Sequence, residues 1–249
     1  MDRRTIAIRV RRQDGPDAKP RWEEFSIPYQ SNMNVISCLM EIQKRPVTRD
    51  GSATSPPAWE QNCLENVCGS CSMLVNGAPQ QACAVLVDKS SQPIELRPLT
   101  KFPTVRDLVV DRSRMFELLK KVRAWIPIDG TYDLGPGPVM PEDERARAYL
   151  FARCMTCGCC MEACPQFGPE KEFVGPAPLG QVRLFNAHPT GKMSRKERLT
   201  AVMGRGGVTD CGNAQNCVRV CPKDIPLVDA IAEVNRQAST QWLRDLFGL

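Results

Sequence analysis

The sequence predicts an α+β chain in two parts, a strand-rich domain over residues 1–105 and an all-helical one over residues 106–249. Three observations predict it. Apolar residues alternate with period two near the N-terminus. From Pro103 onward they recur at helical spacing instead. Finally, 11 of the 13 cysteines fall into three close-spaced groups, one in the first part and two in the second.

Thr5-Ile6-Ala7-Ile8-Arg9-Val10 alternates as a half-buried strand does. Gln13 to Pro20, with Asp14-Gly15-Pro16, reads as a turn, and Trp22 to Ile27 as the returning strand of a hairpin. Asn34 is the expected N-cap of a helix carrying Val35, Leu39, Met40 and Ile42. Thr48 to Ala58 is a loop containing Ser, Pro and Gly. Met73-Leu74-Val75 and Ala82 to Val87 read as strands flanking Asn76-Gly77, a dipeptide suited to left-handed backbone at both turn positions. Ile94-Glu95-Leu96 is a last short strand. Beyond it, Thr104-x-x-Asp107 resembles a capping box with Asp in place of the usual Glu or Gln. Val105, Leu108, Val109, Arg112, Phe116, Leu119, Val122 and Trp125-Ile126 follow at helical spacing. Asp129 to Pro141, rich in Gly and Pro, is loop. Ser194-x-x-Glu197 is a further capping box with Gly204 as its helix stop, and Pro226 opens a last helix carrying Leu227, Ile231, Val234, Trp242 and Leu246. The apolar stripes on these helices are expected to be core.

With 42% hydrophobic and 24% charged residues the chain has a globular composition. A net charge of +5, 6% aromatics and no dense Lys/Arg run argue against nucleic-acid binding. The N-terminus has no apolar signal-peptide region, and no apolar run approaches the ~18 residues that read as a membrane span. Thirteen cysteines without a secretory signal point to metal ligation, not disulfides.

The spacing of the cysteines says which metal. Cys63-x4-Cys68-x2-Cys71-x11-Cys83 has plant-type ferredoxin spacing, which implies a [2Fe–2S] centre; zinc ribbons pair two Cys-x2-Cys knuckles instead. Gly69 and Ser70 are small enough to let backbone N–H groups reach the cluster sulfurs. Cys154-x2-Cys157-x2-Cys160-x3-Cys164-Pro165 has bacterial ferredoxin spacing, whose fourth cysteine serves the other cluster. Cys211-x5-Cys217-x3-Cys221-Pro222 is a second such run with Ala214 where a cysteine would stand. Cys154, Cys157, Cys160 and Cys221 therefore take a [4Fe–4S] centre. Cys164, Cys211 and Cys217, three thiolates, match [3Fe–4S]; the alternative is [4Fe–4S] with a non-cysteine fourth ligand. Cys159 and Cys38 fall outside the frame: Cys159 is expected to be a small polarizable neighbour of Cys160, and Cys38, in the first helix, to pack as a buried apolar residue. His188, the single histidine, reads as a helix-end residue. No Gly-x-Gly-x-x-Gly, P-loop or Ser/His/Asp set is present, so no catalytic residue is expected and the chain is read as an electron carrier.

A plant-type [2Fe–2S] part followed by a helical bacterial-ferredoxin-like part resembles the iron–sulfur subunit of succinate dehydrogenase and fumarate reductase over nearly the whole chain. Further stretches carry the resemblance: Ser113 to Phe116, Trp125 to Gly135, Gly175-Pro176-Ala177 and Arg183 to Thr190. It is similar above all to the form from bacteria that use menaquinone and a di-haem cytochrome b anchor. The resemblance implies an N-terminal β-grasp ferredoxin domain followed by an all-α dicluster domain. It implies FAD on a flavoprotein partner, haem b on a membrane-anchor partner and quinone as the electron acceptor. It places the chain peripherally at the cytoplasmic face of the cell membrane. In ubiquinone-reducing members a tryptophan follows the Cys-Pro beside the [3Fe–4S] centre and a histidine follows the first cysteine of the last run. Here Gln166-Phe167-Gly168-Pro169 follows Pro165, and Gly212 follows Cys211. The departure implies that the anchor binds quinone mainly by itself. Competing readings are a soluble multi-cluster ferredoxin and a subunit of another flavin-linked oxidoreductase.

Overall fold

The computed structural model describes residues 4–127 and 139–248. Most of the loop expected over Asp129–Pro141, and residues 128–135 of the resemblance, lie outside the described residues. The chain forms two compact units. One comprises the described part of Met1–Arg112 together with Met155–Glu162; the other comprises that of Ser113–Cys154 and Ala163–Leu249.

The first unit is built on a five-stranded mixed sheet. Strand β1 (Thr5–Arg12) pairs antiparallel with β2 (Arg21–Pro28). The helix α1 (Val35–Lys44) follows, then β3 (Ser72–Val75), β4 (Ala78–Gln81) and β5 (Ile94–Arg97), in the order β2-β1-β5-β3-β4. β5 runs parallel to β1 and antiparallel to β3. The period-two pattern puts Ile6, Ile8 and Val10 on one face, fully buried with Val35, Ile36, Leu39 and Ile42 of α1. Burying each such side chain is worth roughly 1.5–3 kcal/mol, which is what holds the helix on the sheet. Asn34 caps α1 as expected, accepting from Ser37 N at 2.9 Å. Asn76 and Gly77 turn the β3–β4 hairpin with φ of 49° and 80°.

Two expectations in this unit are corrected. The strand expected over Ala82–Val87 is absent; β4 ends at Gln81 and single 3-10 turns follow at Ala82–Ala84 and Val87–Lys89. The carbonyl of Cys83 is taken by Asn34 Nδ2 at 2.9 Å and that of Val85 by Val35 N at 3.0 Å, which draws the chain off the sheet onto the start of α1. Likewise the helix expected from Thr104 begins only at Ser113. Thr104–Arg106 and Val109–Val110 form a small hairpin, β6 and β7, turned by Asp107 at φ 47°. The Asp107 side chain reaches across the unit: it accepts from Arg12 Nε at 3.0 Å, Gln13 N at 2.9 Å and Ala58 N at 2.8 Å. Arg12 continues the buried face of β1, is fully enclosed, and also meets Glu23 and Ser55. The acid that looked like a helix cap is the counter-ion of a buried arginine.

The second unit is helical: α2 (Ser113–Lys121), α3 (Glu142–Ala152), α5 (Pro176–Ala187), α6 (Arg195–Val202), α7 (Asn216–Arg219) and α8 (Leu227–Phe247), while α4 (Cys159–Ala163) straddles the division of the chain. Helices α5 and α8 pack closely because Gly180 has no Cβ; one there would lie 2.9 Å from Leu227 Cδ2. Arg198 is fully buried with no carboxylate partner among the described residues: it donates to Asn186 Oδ1 at 2.8 Å, Trp125 O at 3.0 Å, Ser194 Oγ at 3.0 Å and Gly191 O. Ser194 precedes α6 but makes no capping bond, its hydroxyl being engaged with Gly191 O and Arg198. Leu227, Ile231 and Val234 are core as expected, whereas Trp242 and Leu246 are 56% and 62% exposed. Among the described residues no helix is long and apolar enough to cross a membrane.

Candidate metal centres

The loop carrying Cys63, Cys68 and Cys71 is neither helix nor strand, and its turns are made by left-handed residues. Leu64, Asn66 and Gly69 have φ of 61°, 56° and 76°. At a non-glycine residue such backbone costs about 1–3 kcal/mol. The return is that successive N–H groups face the thiols. Glu65, Val67 and Cys68 donate to Cys63 Sγ at 3.4, 3.3 and 3.2 Å. Cys63 and Ser70 donate to Cys68 Sγ, both at 3.5 Å, and Asn66 donates to Cys83 Sγ at 3.3 Å. Arg112 holds the opposite side of the loop, donating to Gly69 O at 2.9 Å and Ser70 O at 2.7 Å. The Cys68 thiol is pulled down to about 6 by the Cys63 N–H and then the Ser70 hydroxyl. The Cys71 thiol is pushed up to about 12 by burial, so bound metal would have to drive off its proton. Anion-seeking donors around four thiols suit a thiolate-held cluster. Cys83 reaches this set from the 3-10 turn that Asn34 anchors.

Of the cysteines assigned to the second centre, Cys157 and Cys160 belong to the strand-rich unit and Cys154 and Cys221 to the helical one. The Cys157 thiol is lowered to about 7, chiefly by the S–H of Cys159. Within the same unit Glu162 is 7% exposed and accepts from Thr100 N at 3.0 Å, Thr100 Oγ1 at 2.6 Å and Lys101 N at 3.0 Å. An acid inside a cysteine run was the one signal for this clamp in the sequence. In the helical unit Cys221 Sγ accepts from Ile225 N at 3.4 Å.

Cys164, Cys211 and Cys217 line one cavity of about 260 Å³ in the helical unit, together with Gly212, Asn213, Ala214 and Gln215. One water needs only about 10–15 Å³ by this measure, so the volume holds a group of several atoms. Among the described residues its lining contains no fourth thiol, and Ala214 is part of the wall. Asn213 and Gln215, left-handed at φ 49° and 60°, bend the chain around that alanine. Burial, then the neighbouring Cys164 and Cys211, raise the Cys217 thiol above its ordinary value. Pro165 and Gln166 lie on the same wall, and a Cβ at Gly212 would stand 2.7 Å from Gln166 Nε2. Among the described residues no three His, Cys, Asp or Glu side chains close on a single-ion site; the third set surrounds a volume. Cys38 is fully buried, its thiol pushed up to about 12 by burial. His188 ends α5 and accepts from Gly191 N at 3.4 Å.

Residues 7–117 match the family model for the 2Fe-2S iron-sulfur cluster binding domain, and residues 151–225 that for the 4Fe-4S dicluster domain. Fold and cysteine sets together define an iron–sulfur electron-transfer protein. The chain is 58% identical over 247 residues to the succinate dehydrogenase iron-sulfur subunit of Bacillus subtilis, covering 99% of this chain and 98% of that one. It is 30% identical to the fumarate reductase iron-sulfur subunit of Escherichia coli, covering 94% and 93%. It belongs to the family of succinate dehydrogenase and fumarate reductase iron–sulfur subunits. A chain of the Mycobacterium smegmatis Sdh1 complex in the apo form shares the fold, with a TM-score of 0.79 at 22% identity over 96% of this chain and 97% of that one.

Proposed function

We propose that this subunit conducts electrons from FAD on a flavoprotein partner to quinone, specifically menaquinone, at a membrane-anchor cytochrome b partner carrying haem b. It would work peripherally at the cytoplasmic face of the cell membrane. Its ligand sets are Cys63, Cys68, Cys71 and Cys83 for [2Fe–2S]; Cys154, Cys157, Cys160 and Cys221 for [4Fe–4S]; and Cys164, Cys211 and Cys217 for [3Fe–4S]. Clusters bound there would accept and release single electrons, with potentials set by hydrogen bonds to sulfur, burial and nearby charge. The chain supplies those controls: the N–H groups of residues 63–70, the enclosure of Cys71 and Cys83, and the Cys159 S–H beside Cys157.

The observation that carries the reading is the cavity walled by three thiols and Ala214. Gln166 packed against Gly212 on that wall supports quinone binding by the anchor itself, since a histidine at 212 would displace it. Electron paramagnetic resonance with iron quantification tests the assignment. About nine irons and a signal already present in the oxidised protein are expected from the 2 + 4 + 3 assignment. An oxidised sample without that signal and with about ten irons would replace [3Fe–4S] by [4Fe–4S].

A further inference from the structure

We infer that Gln81 is a positioning residue that joins the ligand set of the first centre to that of the second; this rests on the ligand assignment proposed above. Gln81 ends β4 and is 2% exposed. Its Oε1 accepts from Cys71 Sγ at 3.6 Å, and its Nε2 donates to Ser72 Oγ at 2.7 Å and Cys159 Sγ at 3.5 Å. Cys159 is fully buried and its side chain is hydrogen-bonded to that of Cys157. A continuous row of polar contacts thus runs from Cys71 through Gln81 and Cys159 to Cys157, all inside the strand-rich unit.

The neighbouring packing supports the same link. Ser72 Oγ, which Gln81 holds, donates in turn to Gly69 O at 2.7 Å. A Cβ at Gly69 would lie 2.8 Å from Met155 O and 2.9 Å from Cys157 Cβ. The loop of the first set and the segment of the second are therefore in backbone contact, and the amide bridges them beside that contact. A primary amide has two donors and an acceptor with two lone pairs. The two donors of Gln81 are taken by Ser72 and Cys159, so it meets Cys71 with its oxygen; a thiolate there would face the negative end of the amide dipole, which a thioether of similar size does not present. Cys159, outside both ligand frames, gains a purpose: it passes the contact on from an amide to a ligand sulfur.

The test is a redox titration of the intact complex followed by electron paramagnetic resonance. In Gln81→Met, which removes the amide oxygen from beside Cys71, the first centre should become easier to reduce, by up to tenfold in the one-electron equilibrium, about 59 mV. Cys159→Ala should move the same centre in the same direction by less. Because the two act through one row, the double variant should shift no further than Gln81→Met alone. An unchanged potential and line shape of the first centre in Gln81→Met would overturn the inference, and so would additive shifts in the double variant. If Gln81→Met does not assemble, Cys159→Ala decides: no effect on the first centre rejects the bridge. Failure of the ligand assignment looks different, since the unaltered protein would then lack a reduced [2Fe–2S] signal.

Discussion

In the first cysteine loop six backbone N–H groups already point at thiol sulfurs, while in the last loop three thiols face a volume of about 260 Å³. Both loops turn on left-handed non-glycine residues, Leu64 and Asn66 in one, Asn213 and Gln215 in the other. They differ in what braces them. Arg112, with a side chain only 14% exposed, holds two carbonyls of the first loop and pairs with Glu60. The exposed Arg219 makes a single bond to Ala214 O at 3.2 Å in the last. A largely enclosed arginine thus braces the first loop, whereas the last has an exposed arginine behind it and Ala214 in its cavity wall.

The largest effect that separates the two should come from Cys217→Ala. Iron should fall from about nine to about six per chain, the oxidised-state resonance should vanish, and the [2Fe–2S] signal should persist. Loss of every signal together would mean that the loops are not independent. Ala214→Cys should convert the third centre toward [4Fe–4S], with its resonance lost from the oxidised state and its potential lowered. Unchanged spectra would place residue 214 away from the cluster. Arg112→Ala removes two charge-assisted bonds worth about 1.5–3 kcal/mol each, so the first centre should be lost preferentially during thermal challenge, read as decay of its visible absorbance. Arg219→Ala should cost under about 1 kcal/mol and leave all three centres intact. The smallest effect is a chemical one. In iron-depleted protein, alkylation of Cys68 should already be fast at pH 7, because its thiol titrates near 6 and is thiolate above that. Cys71, near 12, should stay protonated and resist until strongly alkaline pH. Mass spectrometry of the two peptides across pH reads the difference, and equal rates would show that the donors around Cys68 and the burial of Cys71 do not separate the two thiols.

Local chemistry was legible in the sequence, and long-range pairing was not. The Asn76-Gly77 turn, the Asn34 cap and the alternation of β1 follow from nearest-neighbour stereochemistry, and all appear as read. The three cysteines and Ala214 of the last cavity were also grouped by spacing alone. Thr104–Asp107 misled because a capping box and a β-turn use the same residue types, and the choice between them belongs to Arg12, 95 residues away. Gln81 carried no signal at all: its partners Cys71 and Cys159 lie 10 and 78 positions off in opposite directions. Trp242 and Leu246 kept helical spacing yet are exposed, since periodicity marks a face without saying what covers it.

The buried pair of Arg12 and Asp107 also sets a clock. A ribosome adding about 5–20 residues per second needs roughly 5–20 s to deliver the aspartate after the arginine. For most of that interval β1, carrying Ile6, Ile8 and Val10, has β2 and its Glu23 beside it, while the parallel neighbour β5 and the second carboxylate of Arg12 are still to be made. The nascent chain thus carries an unpaired apolar edge for seconds, and the turn at Asp107 closes the strand-rich unit only when nearly all of it has been made.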